Sequence, residues 1–328
     1  MNDYSFRSKG DGEMNISSQL HKTAKRLPEK PAYYFMDQSS TYAELDGAIT
    51  KFASGLDQLG VKKGDHVGLI LGNSPFFVIG MYGALRLGAT VIPINPIYTP
   101  DEIGYIINNG DVKIIIALDL LVPLAEKIHA LLPKVDHYII CETPQAKDAN
   151  TDLTKLSVFP KLKKFSDVLA TGDISFQGPE VDDEQTAVIL YTSGTTGKPK
   201  GAMLTHKNLY SNASDVGSYL RINEDDRVIT TLPMFHVFCM TVALNAPLLR
   251  GATILIDPKF SPKEIFRLSE KYQPTVFAGV PTMYNFLYQY QEGDPKDLQS
   301  LRLCISGGAA MPVALLLNFE KKFNVRIS

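Results

Sequence analysis

At 328 residues and 36.2 kDa, with 45% hydrophobic residues, the chain can bury a large core, and its length suits about two domains. Lys+Arg of 33 against Asp+Glu of 35 leaves a net charge of -2, which excludes a globally basic surface of the kind that holds nucleic acid or an anionic membrane. The three cysteines, Cys141, Cys239 and Cys304, form no C-x-x-C pair, and the six histidines show no H-x-x-x-H spacing, so neither a disulfide framework nor a built-in metal site is expected. A reducing, cytoplasmic setting fits this pattern.

Residues 1–14 are polar, carry no secretory h-region, and read as a flexible arm. From about residue 65 short β-branched runs alternate with longer helical patterns, as βαβ units and parallel sheets require. His66–Leu71 reads as a strand, Asn73 or Ser74 as an N-cap, Pro75 as a first-turn residue and Phe76–Leu87 as a buried helix ended by Gly88. The apolar stretch from Phe76 to Ile94 is interrupted by Arg86, Gly88 and Pro93, whereas a membrane span needs about 20 unbroken apolar residues. Strand Thr90–Ile94 follows, then a helix opened by a capping box at Thr99 and Glu102, strand Val112–Ala117, a helix over Leu120–Leu132 and strand His137–Cys141.

Residues 142–182 are polar and read as a connection between two lobes, with Lys161-Leu162-Lys163-Lys164 a solvated face and not a nucleic-acid patch. Strands are then expected at Ala187–Tyr191, Arg227–Leu232, Ala252–Ile256, Thr275–Ala278 and Leu301–Ser306, with helices between them. One of these helices is capped by Ser261 with Pro262 and Glu264 behind it. The fold class is therefore α/β: two stacked subdomains, 15–170 and 171–328, with mostly parallel sheets flanked by helices.

The segment Tyr191-Thr192-Ser193-Gly194-Thr195-Thr196-Gly197-Lys198-Pro199-Lys200-Gly201 carries the most chemical information. Its glycines let backbone N–H groups approach phosphate oxygens, its hydroxyls donate hydrogen bonds and its lysines offset charge. It is not a Walker A loop: Thr192 occupies the first glycine's position, and Pro199 stands where the magnesium-binding hydroxyl belongs. The apolar Ala202-Met203-Leu204 behind it reads as a return strand, which makes the loop a hairpin connection. By composition alone a surface hairpin explains it as well as a phosphate cradle does.

The order of residues in YTSGTTGKPKG resembles the phosphate loop of the adenylate-forming superfamily, which comprises acyl-CoA and aryl-CoA synthetases, nonribosomal adenylation domains and beetle luciferases. Thr41-Tyr42-Ala43-Glu44-Leu45, the segment from Gly64 to Pro96, Leu232-Pro233-Met234-Phe235-His236-Val237-Phe238 and Ser306-Gly307-Gly308-Ala309-Ala310-Met311-Pro312 resemble further motifs of that superfamily, in its order. The similarity runs from about residue 15 to the end and is greatest to bacterial fatty-acid:CoA ligases. It implies that a carboxylate attacks the α-phosphorus of ATP to give acyl-AMP and pyrophosphate, after which CoA displaces AMP. A carboxylic acid with a pKa of about 4 to 5 is already ionised at neutral pH, so the reaction needs positioning and charge stabilisation and no protein base.

The resemblance places Thr192, Ser193, Gly194, Thr195, Thr196, Gly197, Lys198 and Lys200 at the phosphates and His236 beside the acyl carboxylate or phosphate. It places Gly308, Ala309, Ala310 and Met311 along the adenine ring. His236 and Lys198 are the catalytic candidates, and Thr195 is the one candidate contact to magnesium, through Mg-ATP. Val237, Phe238, Thr241, Gly279, Val280, Met283 and Gly307 are candidates for the acyl-pocket wall, although an apolar stripe at helical spacing is more often plain core. Uncharged segments at Phe238–Ala246 and Val276–Met283 favour a medium- or long-chain fatty acid over an amino acid, whose ammonium would need an acidic partner.

The resemblance also implies an aromatic-Gly-x-Thr-Glu segment with a magnesium-binding Glu, and a small C-terminal domain with a catalytic lysine, none of which has a counterpart here. The expectation is a truncated N-terminal domain, inactive alone, from an intact ligase using ATP, Mg2+ and CoA. The resemblance leaves a homodimer and peripheral membrane contact open. Aryl- or amino-acid activation, a luciferase-like monooxygenase and a non-catalytic nucleotide-binding module are the competing expectations.

Overall fold

The computed structural model describes residues 13–143, 158–192 and 198–328. In chain order the elements begin with α1 (Ile16–Arg26), β1 (Pro31–Phe35), β2 (Gln38–Thr41), α2 (Tyr42–Gln58), β3 (His66–Ile70), α3 (Pro75–Arg86), β4 (Thr90–Pro93), α4 (Pro100–Asn109), β5 (Val112–Leu118), α5 (Val122–Ile128) and β6 (His137–Cys141). There follow β7 (Leu162–Lys164), α6 (Phe165–Thr171), β8 (Thr186–Thr192), β9 (Lys200–Thr205), α7 (His206–Tyr219), β10 (Arg227–Thr230), α8 (Val237–Cys239), a π-helical turn at Met240–Asn245, and α9 (Ala246–Arg250). The remainder is β11 (Thr253–Ile256), α10 (Pro262–Tyr272), β12 (Val276–Gly279), α11 (Pro281–Gln289), β13 (Leu303–Ser306) and α12 (Val313–Phe323).

The described strands form two sheets, with orders β7-β6-β5-β3-β4-β8-β9 and β13-β12-β10-β11-β1-β2. Both are parallel except at one edge, where the β8–β9 and β1–β2 pairs run antiparallel. Near-continuous apolar strands such as Val112–Leu118 are what sheets covered on both faces demand. The main core lies between the sheets, around α1, α2 and α3. There a Cβ on Gly83 would come within 2.9 Å of Phe52 Cδ1, so the α2–α3 approach requires glycine at that position.

Sheet membership does not follow the expected division at residue 171. β1 and β2, from the start of the chain, complete the second sheet, and β8 and β9, from the later part, complete the first. The apolar β8 run pairs in parallel with β4 at Val91 and Val188, and β9 pairs back onto β8 with Thr192 opposite Lys200. The hairpin reading of the phosphate loop therefore holds at its two stems.

Three local expectations change. Residues 162–171 are structure and not mere connection: β7 pairs with β6, and Phe165 of α6 stacks on Phe52 with ring centroids 4.4 Å apart. The lysine run is thus an edge strand, and a charged edge disfavours further pairing. The helix expected over Leu120–Leu132 is broken into α5 between two 3-10 turns. The Thr99–Glu102 capping box forms in both directions, whereas at Ser261 only the serine half does, because the Glu264 carboxylate turns to Arg267 at 2.6 and 2.8 Å.

The cap of α3 falls on the second of its two candidates. Ser74 takes the N-cap position of α3 without a side-chain cap bond, and Asn73 reaches into the second sheet instead. No described helix is long and apolar enough to cross a membrane.

Candidate active site

In doubly wound sheets ligands bind beyond the carboxyl ends of the strands. Every expected site segment leaves such an end: residues 231–238 follow β10, Val280 follows β12, Gly307 and Gly308 follow β13, and the phosphate loop follows β8. The hydrogen bonds of Asn73, just past β3, to backbone just past β10 and β11 show that these ends of the two sheets meet.

His236 caps the short α8. Its ring Nδ1 accepts a hydrogen bond from the Phe238 N–H at 3.3 Å, and its own N–H donates to Pro233 O at 3.0 Å. With Nδ1 an acceptor, the neutral ring carries its proton on Nε2. The side chain is exposed, so Nε2–H is offered to a ligand as a donor, the role a carboxylate or phosphate oxygen requires.

Phe238 lies against Gly307, where a Cβ would stand 2.8 Å from Phe238 Cζ, and a Cβ on Gly308 would meet Val280 Cγ1 at 3.4 Å. Gly308 has φ +78°, a backbone region that favours glycine. The Gly307 N–H donates to Gly279 O at 3.2 Å, which joins the turns after β12 and β13. The structure thus brings Phe238, Gly279, Val280, Gly307 and Gly308 together as one closely packed cluster of small residues against an aromatic ring. Ala309 and Ala310 are exposed beside it, and Met311 packs into the core under α12, with its sulfur 3.8 Å from Ser306 Oγ. Met283 packs on the core, Val237 is exposed, and Thr241 donates to Asn212 Oδ1 at 2.8 Å on α7.

The catalytic candidate Lys198 is exposed, its ammonium 5.5 Å from the centroid of the Tyr105 ring on α4, and Lys200 is exposed on β9. Tyr105 Oη donates to Pro199 O at 3.3 Å, and Tyr191 Oη donates to Asn109 Oδ1 at 2.7 Å. Both stems of the Tyr191–Gly201 segment, the candidate phosphate loop, are therefore fastened to α4. Ser193, Gly194, Thr195, Thr196 and Gly197 lie outside the described residues. Gly201 is explained by its partner strand, since a Cβ there would meet Ile189 Cγ2 at 2.7 Å and the Tyr191 ring at 3.2 Å.

Sequence reasoning missed Tyr105 and Asn109, whose helix reads as an ordinary amphipathic one, and it gave Asn73 no role beyond one of two cap candidates. No described side chain offers an activated thiol: all three cysteines are free and buried, and burial pushes the Cys304 thiol up to about 12. A buried carboxyl, Asp257, follows β11. Burial raises it to about 6 against the bonds it accepts from Thr231 Oγ1 at 2.7 Å and Lys259 N–H. A cavity of about 840 Å3 lies elsewhere, between α1, α2 and residues 174–183.

The family model described as AMP-binding enzyme matches residues 20–328. The chain belongs to the AMP-binding enzyme family. It is 35% identical over 321 residues to the long-chain-fatty-acid–CoA ligase of Bacillus subtilis (strain 168), covering 93% of this chain and 57% of that protein. To the ligase of the same description from Yersinia pestis it is 32% identical, covering 94% and 58%. Among solved structures, the anthranilate CoA ligase AuaEII in complex with anthranoyl-AMP superposes with TM-score 0.87 at 26% identity, covering 95% of this chain and 58% of that one. The N-terminal domain of FACL13 from Mycobacterium tuberculosis superposes with TM-score 0.84 at 29% identity, covering 95% and 74%. The chain spans a little over half the length of the curated relatives it matches. Its two-sheet α/β architecture is that of the AMP-binding enzymes' N-terminal portion.

Proposed function

We propose that the intact AMP-binding enzyme to which this chain belongs is an ATP-dependent acid:CoA ligase acting on medium- or long-chain fatty acids. The observation that carries this reading is the apolar cluster of Phe238, Val280 and Gly307 at the strand ends, next in the chain to the exposed His236, whose Nδ1 is already an acceptor. A carboxylate held by the Nε2–H of that ring would have the apolar cluster beside it. The fatty-acid–CoA ligase relatives support the same substrate class.

In this reading His236 orients the acid and stabilises negative charge without abstracting a proton, since the carboxylate is already ionised. Thr192, Ser193, Gly194, Thr195, Thr196, Gly197, Lys198 and Lys200 hold the phosphates of the Mg-ATP substrate, with Tyr105 and Asn109 fixing where their stems begin. Gly308, Ala309, Ala310 and Met311 supply backbone for the adenine. Mg2+ is expected to enter with ATP. CoA is the second substrate.

The test is acid-dependent ATP–pyrophosphate exchange by the intact protein, with octanoate, palmitate, benzoate, anthranilate and amino acids compared. Exchange driven by the fatty acids is expected. Exchange confined to aromatic acids would replace this reading with aryl-acid activation, the second reading that the anthranilate CoA ligase likeness favours.

A further inference from the structure

Asn73 has no role in the proposed reaction, yet its side chain bonds four backbone groups at the strand ends of the second sheet. The residue sits in the turn after β3, is 6% exposed, and its amide oxygen accepts from the Met234 N–H at 2.8 Å. Its NH2 group faces three carbonyls: Leu232 O at 2.9 Å, Asp257 O at 3.2 Å and Thr230 O at 3.3 Å. One side chain from the first sheet thus holds the end of β10, the end of β11 and the segment that leads to His236.

Only a primary amide can do this from such a short stem. It offers an acceptor to one N–H and donors to carbonyls at the same time. Aspartate presents no donor and sets a charge against three carbonyl oxygens, while alanine leaves buried backbone groups unpaired, each at a cost of about 1–3 kcal/mol. Leu232 and Met234 also pack in the main core, but among the described residues the other hydrogen bonds of the 232–236 segment are local, such as that from the backbone N–H of His236 to Pro233 O. Met234 is fully buried, and His236, two residues on, is exposed. A shift of the buried residue therefore moves the exposed one.

We propose that Asn73 is the positioning residue for His236: its amide fixes the 232–236 segment against the first sheet and so sets where the imidazole Nε2–H meets the acid. What His236 does there rests on the acid-ligase reading, whereas the anchoring itself does not. The phosphate loop is fastened separately, through Tyr105 and Asn109 on α4. Loss of Asn73 thus acts on the acid and leaves the nucleotide in place. Misplacement on the scale of an ångström costs about a hundredfold in rate.

The experiment compares Asn73→Ala and Asn73→Asp with Thr231→Val in the intact protein. Thr231 lies in the same buried junction, and its hydroxyl bonds the Asp257 carboxylate with no side-chain bond to Asn73 or to the 232–236 segment, so its variant reports what the loss of one buried hydrogen bond at the junction does. Both Asn73 variants are expected to lower acid-dependent exchange by about a hundredfold with the KM for ATP within about threefold. They are also expected to speed backbone amide exchange at residues 234–240 by about tenfold while the strands β10 and β11 keep their protection. Activity that falls only as far as in Thr231→Val, or amide exchange unchanged at 234–240, overturns the proposal. Should the intact wild type exchange pyrophosphate with no acid, the acid-ligase reading fails, and the amide exchange still decides whether Asn73 anchors the segment.

Discussion

The Phe238 ring rests directly on Gly307: a Cβ built on the glycine stands 2.8 Å from Phe238 Cζ and 2.9 Å from Cε1, closer than real side chains approach. The turn after β13 must therefore carry glycine if Phe238 is to keep its place, and under the proposed function this pair lies along the acyl path. Gly307→Ala is expected to push the ring aside and narrow the acyl path, lowering kcat/KM about tenfold for palmitate and much less for octanoate. The unfolding free energy should change by about 1–3 kcal/mol, the usual cost of one extra methyl in a packed site. Chain-length profiles of wild type and variant check this, and an equal loss for all acids would mean that the pair does not line the acyl path.

Tyr105 offers a second, independent prediction. Its hydroxyl holds Pro199 O and its ring lies under the Lys198 ammonium at 5.5 Å. Tyr105→Phe removes only the first contact and Tyr105→Leu both. The expected order for the KM for ATP is wild type, then Phe, then Leu, with the Leu variant raised about fivefold, since the two contacts together are worth about 1 kcal/mol at an exposed site. The KM for the acid should stay unchanged, which separates this stem contact from the Asn73 anchor.

Much of this was legible in the sequence because it depends on local patterns. Strands such as His137–Cys141, the capping box at Thr99 and the return strand after Gly201 follow from β-branched runs, cap residues and turn chemistry within a few positions. What was not legible depends on contacts far apart along the chain. The exchange of β1–β2 and β8–β9 between sheets is invisible in a one-dimensional alternation of elements. Asn73 reads as a candidate helix cap because caps and long-range amide anchors use the same residue type. The Phe238–Gly307 contact was anticipated only through the family resemblance, which groups the two residues, and not from any local pattern around either.

The base of the second sheet is held by Asp226, which is 2% exposed and receives Arg302 Nε at 2.8 Å, Arg302 Nη2 at 2.5 Å and Thr275 Oγ1 at 2.6 Å. Burial alone would raise this carboxyl, but the bonds from Arg302 and Thr275 outweigh it and hold it below its ordinary value. A carboxyl held low contributes stability that is present above its unfolded value near 3.8 and is lost as pH falls below it. Arg302→Met leaves the buried charge without its partner and is expected to cost about 3 kcal/mol at pH 7, measured by denaturant unfolding. Asp226→Asn paired with Arg302→Met should recover part of that loss, because no buried charge then remains.

Two buried groups set opposing slopes at mildly acid pH. His206, at the start of α7, is fully buried with both ring nitrogens unpaired, and burial lowers it to about 4 from an ordinary 6.5. Between those values the unfolded chain binds the proton and the folded one does not, so His206 removes on the order of 3 kcal/mol of stability as pH falls from 6.5 to 4. Asp257, raised to about 6 from 3.8, behaves in reverse: the folded state holds the proton, and stability on the order of 3 kcal/mol is gained as pH falls over nearly the same range. His206→Phe is therefore expected to become more stable, relative to wild type, as pH falls from 6.5 to 4. Asp257→Asn is expected to become less stable over that interval. Unfolding free energies of the three proteins at pH 4, 5, 6 and 7 decide the matter, and parallel pH profiles for wild type and His206→Phe would show that the histidine reaches water in the folded protein.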